Sequence, residues 1–253
     1  MNVAMMQPTF LPWQGMFELI NKSDKFIFLD DFQYCASSHH TRNRLFTGKN
    51  QVGFYGVNIK KTGTLQTKLN EACLAKNTPW KSDILKRMRF VYAKTAYFKD
   101  YYPIIEEWLL QDYKSLAGLN IGCIKMICDI LGLKKNFLYS SDFTKQTGSL
   151  AKRTQRVCEL LDWAGASMYL CANGSFEYMK EDGYDYKKYP VIFQNYQPKP
   201  YKQIHSDSFV PYLSVVDALF NIGAENTLNL IENGTEKWLS FEEMLKLNYN
   251  EKD

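Results

Sequence analysis

The opening of the chain limits its possible folds more than any other stretch. Val3–Gln7 is a short apolar run that predicts a strand, Gly15–Lys22 has the apolar spacing of a helix, and Lys25–Asp30 is a nearly continuous apolar run. Continuous apolar runs are typical of strands that are covered on both faces, as in parallel sheets. A strand, a helix and a second strand within about thirty residues form a βαβ unit. We therefore expect an α/β fold that opens with this unit.

The connection between the first strand and the first helix, MQPTFLPWQG, is unusually stiff. Pro8 and Pro12 each fix φ and remove a backbone donor, and Gly15 permits a sharp entry into the helix. Ligands of open α/β sheets bind beyond the carboxyl ends of the strands, which is where this connection lies. We predict that it forms one wall of a pocket, in which Gln7 hydrogen-bonds a ligand and Trp13 stacks on a sugar or base. The alternative is a tight loop whose Trp13 only packs on the core.

The remaining chain predicts a Rossmann-like parallel sheet with a helical insertion. Apolar residues recur at helical spacing over about residues 78–133, between strand-like segments. Without a repeat or a linker, residues 1–253 are expected to form a single α/β domain with a loop-rich, helical C-terminal part. The predicted helices are Trp80–Lys94, Tyr101–Leu110, Ser115–Leu131, Thr154–Ala164, Leu213–Asn221, Ala224–Glu232 and Phe241–Leu247. The further predicted strands are Asn136–Ser140, Ser167–Cys171, Pro190–Asn195 and QVGFYGVNIKK, which follows the polar, turn-rich segment FQYCASSHHTRNRLFTGKN.

Composition argues against several classes of protein. The chain carries 31 Lys and Arg against 27 Asp and Glu, a net charge of +4, which is mild for a nucleic-acid binder. Its six cysteines form no CxxC pair and are joined by no paired histidines, so we expect no metal site. No apolar stretch is long enough for a signal peptide or a membrane span, which predicts a cytoplasmic protein. The 15% of aromatic residues suits either stacking on sugars and bases or ordinary packing.

Four residues near the end of the second strand are candidates for acid–base chemistry. Asp30 and Asp31 follow the strand beside the opening loop, and we expect only one to enter the pocket because adjacent residues of an extended chain point to opposite sides. The alternative is a cap or turn former, the commonest role of Asp after a strand. His39 and His40 lie in a polar loop; an imidazole titrates near neutrality, although a loop histidine is often merely exposed. Each of the four is a candidate general base.

Two basic segments are candidate phosphate-binding sites. In an extended TRNRL segment, Arg42 and Arg44 share a face and can clamp a diphosphate, with Asn43 between them. The segment GSLAKRTQR precedes a predicted helix, whose N-terminus suits an anion. Its candidate residues are Lys152, Thr154 and Arg156. The alternative for both segments is solvated surface charge. We expect the opening loop, the end of the second strand and the RNR segment to converge on one pocket.

Two more pairs of residues are candidate pocket lining. Asn173 and Gly174 follow the predicted strand SMYLCA, and a glycine there permits a ligand to approach the backbone closely. Asp217 and Asn221 lie four residues apart, on one face of an otherwise apolar helix. Such a pair either lines a pocket or forms a hydrogen-bonded pair in the core. Gly223 is expected to end that helix.

Four segments, in order, resemble the WbqC-like family: MQPTFLPWQGMFELI, FIFLDDFQY, TRNRL and FVPYLSVVDALFNIG. The resemblance runs from residue 3 to about residue 235, and it adds Gln33 to the candidate binding residues. Genes of that family are typically found in clusters for surface-polysaccharide synthesis, of the O-antigen and lipopolysaccharide type. This implies work on nucleotide-linked sugars such as dTDP-sugars, or on lipid-linked glycans. One departure is that the family often has a histidine before proline in the segment NYQPKPYKQ, near the position of Lys199.

A weaker resemblance connects the opening unit to nucleotidyltransferases and amide-forming ligases with a HIGH motif. Those enzymes also have a strand, a proline-containing loop, a glycine and a helix, and their histidines contact a triphosphate. Here the local sequence is PWQGMF, so Gln14 and Met16 stand where those histidines would fall. The resemblance implies a shared architecture without adenylyl transfer.

These observations lead to three hypotheses of function. The first is an enzyme that forms an amide on the amine of a nucleotide-linked amino sugar, by N-acyl or N-aminoacyl (for example glycyl) transfer. Its donor would be a carboxylate activated by ATP, or an acyl or aminoacyl thioester, which would make an acyl-carrier protein a partner. The second is a non-catalytic protein that binds a glycan, a nucleotide sugar or a carrier. The third is a glycosyltransferase.

Overall fold

The opening βαβ unit forms the centre of the fold. The computed structural model describes residues 1–60 and 67–250. Its first elements are β1 (Asn2–Met6), α1 (Gln14–Lys22) and β2 (Lys25–Phe28). β1 and β2 pair in parallel along their length. The expected parallel α/β arrangement is therefore confirmed.

A long excursion separates β2 from the next strand of the sheet. Its elements are β3 (Arg42–Gly48), β4 (Gln51–Gly56), α2 (Trp80–Tyr92), α3 (Phe98–Leu110) and α4 (Leu116–Ile130). β3 and β4 form an antiparallel hairpin, which packs against α2. The excursion thus contains a hairpin as well as the helices that the sequence predicts. Lys61, the last residue of the predicted strand QVGFYGVNIKK, lies outside the described residues.

The rest of the chain completes the sheet. The next elements are β5 (Asn136–Tyr139), α5 (Ser140–Thr147), α6 (Arg153–Ala164), β6 (Met168–Ala172), a 3₁₀ turn (Asn173–Ser175), α7 (Phe176–Glu181), β7 (Val191–Gln194), α8 (Val215–Glu232), β8 (Leu239–Ser240) and α9 (Phe241–Asn250). The strand order is β5-β2-β1-β6-β7-β8, and only β8 runs antiparallel to its neighbour. Within the described ranges, no helix is long and apolar enough to cross a membrane.

Both faces of the sheet are buried, which explains the continuous apolar runs of its strands. Along β1, Ala4 faces one apolar cluster with α1, the helices of the excursion and α8. Val3 and Met5 face a second cluster with α5, α6, α7 and α9. The crossover from β1 to β2 therefore uses the first face, and the crossover from β5 to β6 uses the second. The winding reverses between β1 and β6, and in open α/β sheets such a reversal opens a crevice at the carboxyl ends of the strands.

Three local differences from the sequence prediction have tertiary causes. β3 lies in the segment that was expected to be polar and turn-rich, because its buried residues alternate with arginines that hide the apolar pattern. α5 begins directly after β5, where the backbone N–H of Ser141 donates to Asp30, a residue far away in sequence. α8 joins two predicted helices across a kink at Gly223, whose φ of 79° breaks the helical conformation. The local sequence gives little indication of these three differences.

Candidate functional site

In open α/β sheets, ligands bind in the crevice where the winding reverses, and here that crevice lies between β1 and β6. Gln7 is the first residue after β1, and Asn173 is the first residue after β6. In the parallel register Ala4 lies opposite Leu170, and the same offset matches Gln7 with Asn173 three positions further along the strands. Neighbouring strands lie about 4.8 Å apart, so both side chains belong to the same short stretch of the sheet edge.

Gln7 is held by a buried histidine. The backbone N–H of Cys35 donates to His40 Nδ1 over 3.3 Å, so the proton of the neutral ring is on Nε2. That Nε2–H donates to Gln7 Oε1 over 2.6 Å. The hydrogen bond fixes the orientation of the Gln7 amide and leaves its NH₂ group without a partner among the described residues. The end of β1 therefore presents an oriented hydrogen-bond donor at the crevice.

The environment of His40 favours this neutral form. Burial, and to a lesser degree the nearby charge of His39, lowers the pKa of His40 below its usual value. Protonation of Nδ1 would also set an N–H against the donating N–H of Cys35. His40 consequently acts as a positioning group for Gln7, whereas the side chain of His39 is exposed on the same loop.

Two asparagines tie the opening loop to distant elements. Asn120, buried in α4, donates through Nδ2 to the carbonyls of Pro8, over 3.0 Å, and His40, over 2.9 Å. Asn43, in β3, donates to the carbonyl of Leu11 over 2.8 Å. Leu11 has a φ of 44°, which is uncommon for a branched residue and is maintained by this bond and by complete burial. The loop is therefore a fixed surface, as its prolines predict.

Trp13 belongs to an aromatic wall at the far end of the loop. Its ring lies against Gly15, where an added Cβ would be only 2.4 Å from Trp13 Cζ2. It contacts Tyr196 edge-on, with 5.1 Å between centroids, and Tyr212 at 5.7 Å. A glycine at position 15 is thus required for the Trp13 indole to pack this closely against the backbone. Trp13 remains partly exposed, so it is packed and accessible at once.

Within the RNR segment, Asn43 contacts the opening loop and Arg44 contacts the segment that precedes α8. Arg44 donates through Nη2 to the carbonyls of Pro211 (2.9 Å) and Tyr212 (3.3 Å). The Arg42 guanidinium instead lies over the ring of Phe54, 4.4 Å from its centroid. The two arginines therefore have different partners, and their predicted diphosphate clamp is not assembled in this state.

Asp30 and Asp31 form a separate buried cluster with α5 and α6. Asp30 accepts hydrogen bonds from the backbone N–H of Ser141, at 2.9 Å, and from its hydroxyl, at 2.7 Å. Asp31 accepts from the hydroxyls of Ser140 and Thr144. The Ser140 hydroxyl also lies 3.3 Å from Asp30, so both carboxylates turn to one side, contrary to expectation. The reason is that β2 ends at Phe28 and the chain is already turning at the aspartates.

Arg156 pairs with one of the two carboxylates of this cluster. Its Nη2 lies 3.1 Å from Asp31 Oδ2, and the two side chains are only 5% and 8% exposed. The guanidinium also donates to the carbonyl of Ser140 and lies 4.8 Å above the ring of Phe143. Buried charges are normally paired in this way, because an isolated charge is costly to remove from water. In this conformation Arg156 is therefore bound to Asp31 and is not open to a phosphate.

The N-terminus of α6 is occupied by a carboxylate of the protein itself. Asp182 accepts from the hydroxyl and the backbone N–H of Thr154, at 2.8 and 3.3 Å, and from Arg153 Nε at 3.0 Å. Lys152, the N-cap residue, is exposed. The anion predicted at this helix end is thus supplied by Asp182, because helix N-termini favour any negative charge.

Asn173 and Gly174 line a shallow cavity beyond β6. The cavity has a volume of about 250 Å³ and is also bordered by Phe176, Glu177 and Met244. A Cβ on Gly174 would meet nothing within 4 Å. This open space lies beside the crevice, and it is consistent with close approach of a ligand to the backbone.

Asp217 and Asn221 belong to a hydrogen-bonded network in the core. Asp217 is fully buried and accepts from the hydroxyls of Tyr92 (2.8 Å) and Tyr201 (2.6 Å), and from the Gln203 amide (3.1 Å). Burial raises the pKa of Asp217, and these hydrogen bonds oppose the rise. Asn221 donates to the carbonyl of Asp217. Of the two alternatives for Asp217 and Asn221, these contacts fit a hydrogen-bonded pair in the core.

The contacts of the structure link some of the predicted pocket residues to one another. The opening loop and Asn43–Arg44 come together, whereas Trp13 and Asp31 have no hydrogen-bond or ring partner in common within the described ranges. Gln33 forms an isolated bridge with Lys68, and Lys199 pairs with Glu236. Sequence reasoning missed several residues that organise the edge: Asn120, Ser140, Thr144, Tyr196 and Tyr212. Only Asn120 could have been found from the sequence, because it is a polar residue within the apolar helix LAGLNIGCIKMICDI.

Comparison with known proteins supports the resemblance noted in the sequence. The model of the WbqC-like protein family matches residues 7–228. The chain is also 30% identical, over 230 residues, to the uncharacterized protein Rv1507c of Mycobacterium tuberculosis (strain ATCC 25618 / H37Rv). That alignment covers 88% of this chain and 95% of the relative. No solved structure matches the chain significantly.

The buried pair of Arg156 and Asp31 is expected to be a stability determinant. Arg156→Met leaves the Asp31 carboxylate buried without a cation, which should cost about 3–5 kcal/mol of unfolding free energy. Adding Asp31→Asn should recover much of that loss, because neither charge then remains. Urea denaturation measures both effects. Lys145→Met is the control, since Lys145 and Asp142 are 75% and 49% exposed and such pairs contribute about 1 kcal/mol or less. Equal losses for Arg156→Met and the control would contradict the prediction.

The lowered pKa of His40 predicts a pH dependence of stability. The unfolded chain takes up a proton at this residue as the pH falls through about 6.5, whereas the folded chain takes it up only at lower pH. The contribution of His40 is therefore complete above about pH 6.5 and is lost below it, by at most about 1.4 kcal/mol per pH unit. In His40→Gln this component disappears. Unfolding free energies at pH 7.5 and pH 5 should thus differ less for the variant than for the wild type. Identical differences would show that His40 is not buried in its neutral form.

Proposed function

The chain belongs to the WbqC-like protein family, and on that premise we propose that it forms an amide on the amine of a nucleotide-linked amino sugar. The acyl or aminoacyl group would come from an activated donor, either a thioester or a carboxylate activated by ATP. The observation that carries the proposal is the Gln7–His40 pair at the crevice between β1 and β6. A sugar presents hydroxyl acceptors at many positions, and an oriented amide N–H suits such a ligand.

Hydrogen-bond commitments favour His39 as the general base. Asp30 and Asp31 accept two or more hydrogen bonds each, and both ring nitrogens of His40 are engaged. The side chain of His39 is exposed, and its backbone carbonyl accepts from the N–H of Phe10, which anchors it to the opening loop. His39 is therefore the candidate whose imidazole makes no hydrogen bond within residues 1–60 and 67–250 and is open to accept a proton.

The proposed reaction is a nucleophilic acyl substitution. The neutral amine of the sugar attacks the carbonyl carbon of the donor, and a C–N bond forms as the bond to the leaving thiolate or phosphate breaks. The amine proton passes to His39, and the leaving group departs with the electrons of the broken bond. General base catalysis of this type requires an imidazole that is not already protonated. The rate should accordingly fall at low pH, where the sugar amine stays protonated and cannot attack.

Binding at the crevice is tested by thermal shift and calorimetry with dTDP- and UDP-linked amino sugars. A ligand that binds only the folded state raises stability by about 2.7 kcal/mol at a concentration of 100 times Kd. Gln7→Ala removes the amide donor and should weaken binding by roughly 0.5–1.5 kcal/mol, the usual net contribution of one hydrogen bond. Gln51→Ala, at an exposed position of the β3–β4 hairpin, is the matched control. No stabilisation by any nucleotide sugar would remove the proposed substrate class.

The chemistry is tested by mass spectrometry of the sugar nucleotide after incubation with a donor. Glycine with ATP and acyl thioesters are separate arms, and a mass gain equal to an amide identifies the donor. His39→Ala should reduce turnover roughly 10²–10⁴-fold while leaving sugar-nucleotide affinity nearly unchanged. Tight binding without a product from any donor would instead favour the non-catalytic binding protein. Release of the nucleoside diphosphate would indicate a glycosyltransferase.

A further inference from the structure

Tyr212 combines backbone strain with an exposed ring. Its φ is 58°, in the left-handed region, and its side chain is 45% exposed. Such a conformation is costly for a non-glycine residue and persists only when the surroundings hold it. Burial of the ring does not offset this free-energy cost, because the ring is only partly buried. The strain is therefore maintained by other contacts, while the residue stays partly exposed.

Arg44 and the end of the opening loop supply those contacts. Arg44 Nη2 donates to the carbonyls of Pro211 and Tyr212, at 2.9 and 3.3 Å. The backbone N–H of Ser214 donates to the carbonyl of Arg44 over 3.0 Å, which clamps the segment before α8 onto β3. Trp13 then lies beside the phenol ring, with 5.7 Å between the ring centroids and 45° between their planes. The two rings form a continuous aromatic surface rather than a closed stack.

Arg44 uses only one of its three nitrogens in the hydrogen bonds to Pro211 and Tyr212. Its Nε and Nη1 make no hydrogen bond within residues 1–60 and 67–250. A guanidinium binds phosphate oxygens well, because its donors form a planar fork. One residue can thus hold Tyr212 in place and still bind an anion next to the aromatic surface.

From this arrangement we infer that Tyr212, Trp13 and Arg44 form the nucleotide end of the site, with the base on Tyr212 and a phosphate on Arg44. The inference rests on the proposed function and names the second half of its substrate. Gln7 and Trp13 are six positions apart in one loop, so they can lie at most about 22 Å from each other. A ligand with a ring at each end and a diphosphate between them matches two subsites at the two ends of one loop. Nucleobases stack on aromatic side chains regardless of their identity, so the subsite should accept both dTDP and UDP.

Calorimetric titration with dTDP, UDP and glucosamine 1-phosphate tests the inference. Tyr212→Ala should weaken the binding of both nucleoside diphosphates about 5- to 150-fold, the usual range for one stacked base. The affinity for glucosamine 1-phosphate, which has no base, should not change. Tyr212→Phe keeps the ring and should bind like the wild type.

Tyr212→Gly separates stacking from folding. Glycine adopts a positive φ without strain, so this variant should be at least as stable as Tyr212→Ala while losing affinity to the same extent. If the wild type binds sugar nucleotides and both ring-deleted variants bind dTDP as tightly as the wild type does, the stacking subsite is wrong and the proposed function stands. If the wild type binds no nucleotide sugar and no nucleoside diphosphate, both proposals fail.

Discussion

The architecture of the sheet edge depends on the need to satisfy the carbonyl groups of one buried, proline-containing loop. Pro8, Leu11 and Pro12 are buried, and a buried carbonyl without a partner costs free energy. Each of these carbonyls is paired with a residue far away in sequence: Asn120 on α4, Asn43 on β3 and the N–H of Val215 at the start of α8. A self-contained turn would have used neighbouring N–H groups. Because prolines supply none, three distant elements are drawn to the end of β1.

That requirement links the fold to the site. Asn120 donates to the carbonyl of His40 as well as to the loop, so the side chain that anchors Pro8 also holds the histidine that orients Gln7. At the other end of the loop, Val215 binds the carbonyl of Pro12, and the preceding residues carry the strained Tyr212. The stiffness of the loop is therefore transmitted to two side chains that face solvent at its ends. A surface held in this way is already ordered, and pre-ordering of a surface reduces the entropic cost of any binding to it.

The sequence was sufficient for the fold and for the location of the edge, but not for the pairing of polar groups across it. Apolar periodicity predicts the βαβ unit because burial on both faces leaves its imprint on each strand. The bond between Arg156 and Asp31 joins residues 125 positions apart, and no local pattern records it. Asp30 and Asp31 turn to the same side because the strand ends two residues earlier than the apolar run suggests. Small errors in an element boundary thus reverse a prediction about where a side chain points, whereas they hardly affect the predicted fold.

Hydrogen-bond commitment divides the charged and polar residues of the edge into two groups. Asp31, Arg156, Thr154 and Asp217 have the residue types of a catalytic or phosphate-binding site, yet each is already hydrogen-bonded within the protein. Asp31 and Arg156 bind each other, Thr154 binds Asp182, and Asp217 binds Tyr92. A ligand would have to replace charge-assisted hydrogen bonds at buried positions to reach them, and removing one partner of a buried pair costs several kcal/mol. The Gln7 amide, the His39 imidazole and two nitrogens of Arg44 require no such exchange. Within the described residues, the polar groups that remain open to a ligand therefore lie at or beside the opening loop, whereas the cluster of Asp30, Asp31 and Arg156 is bonded to residues of α5 and α6.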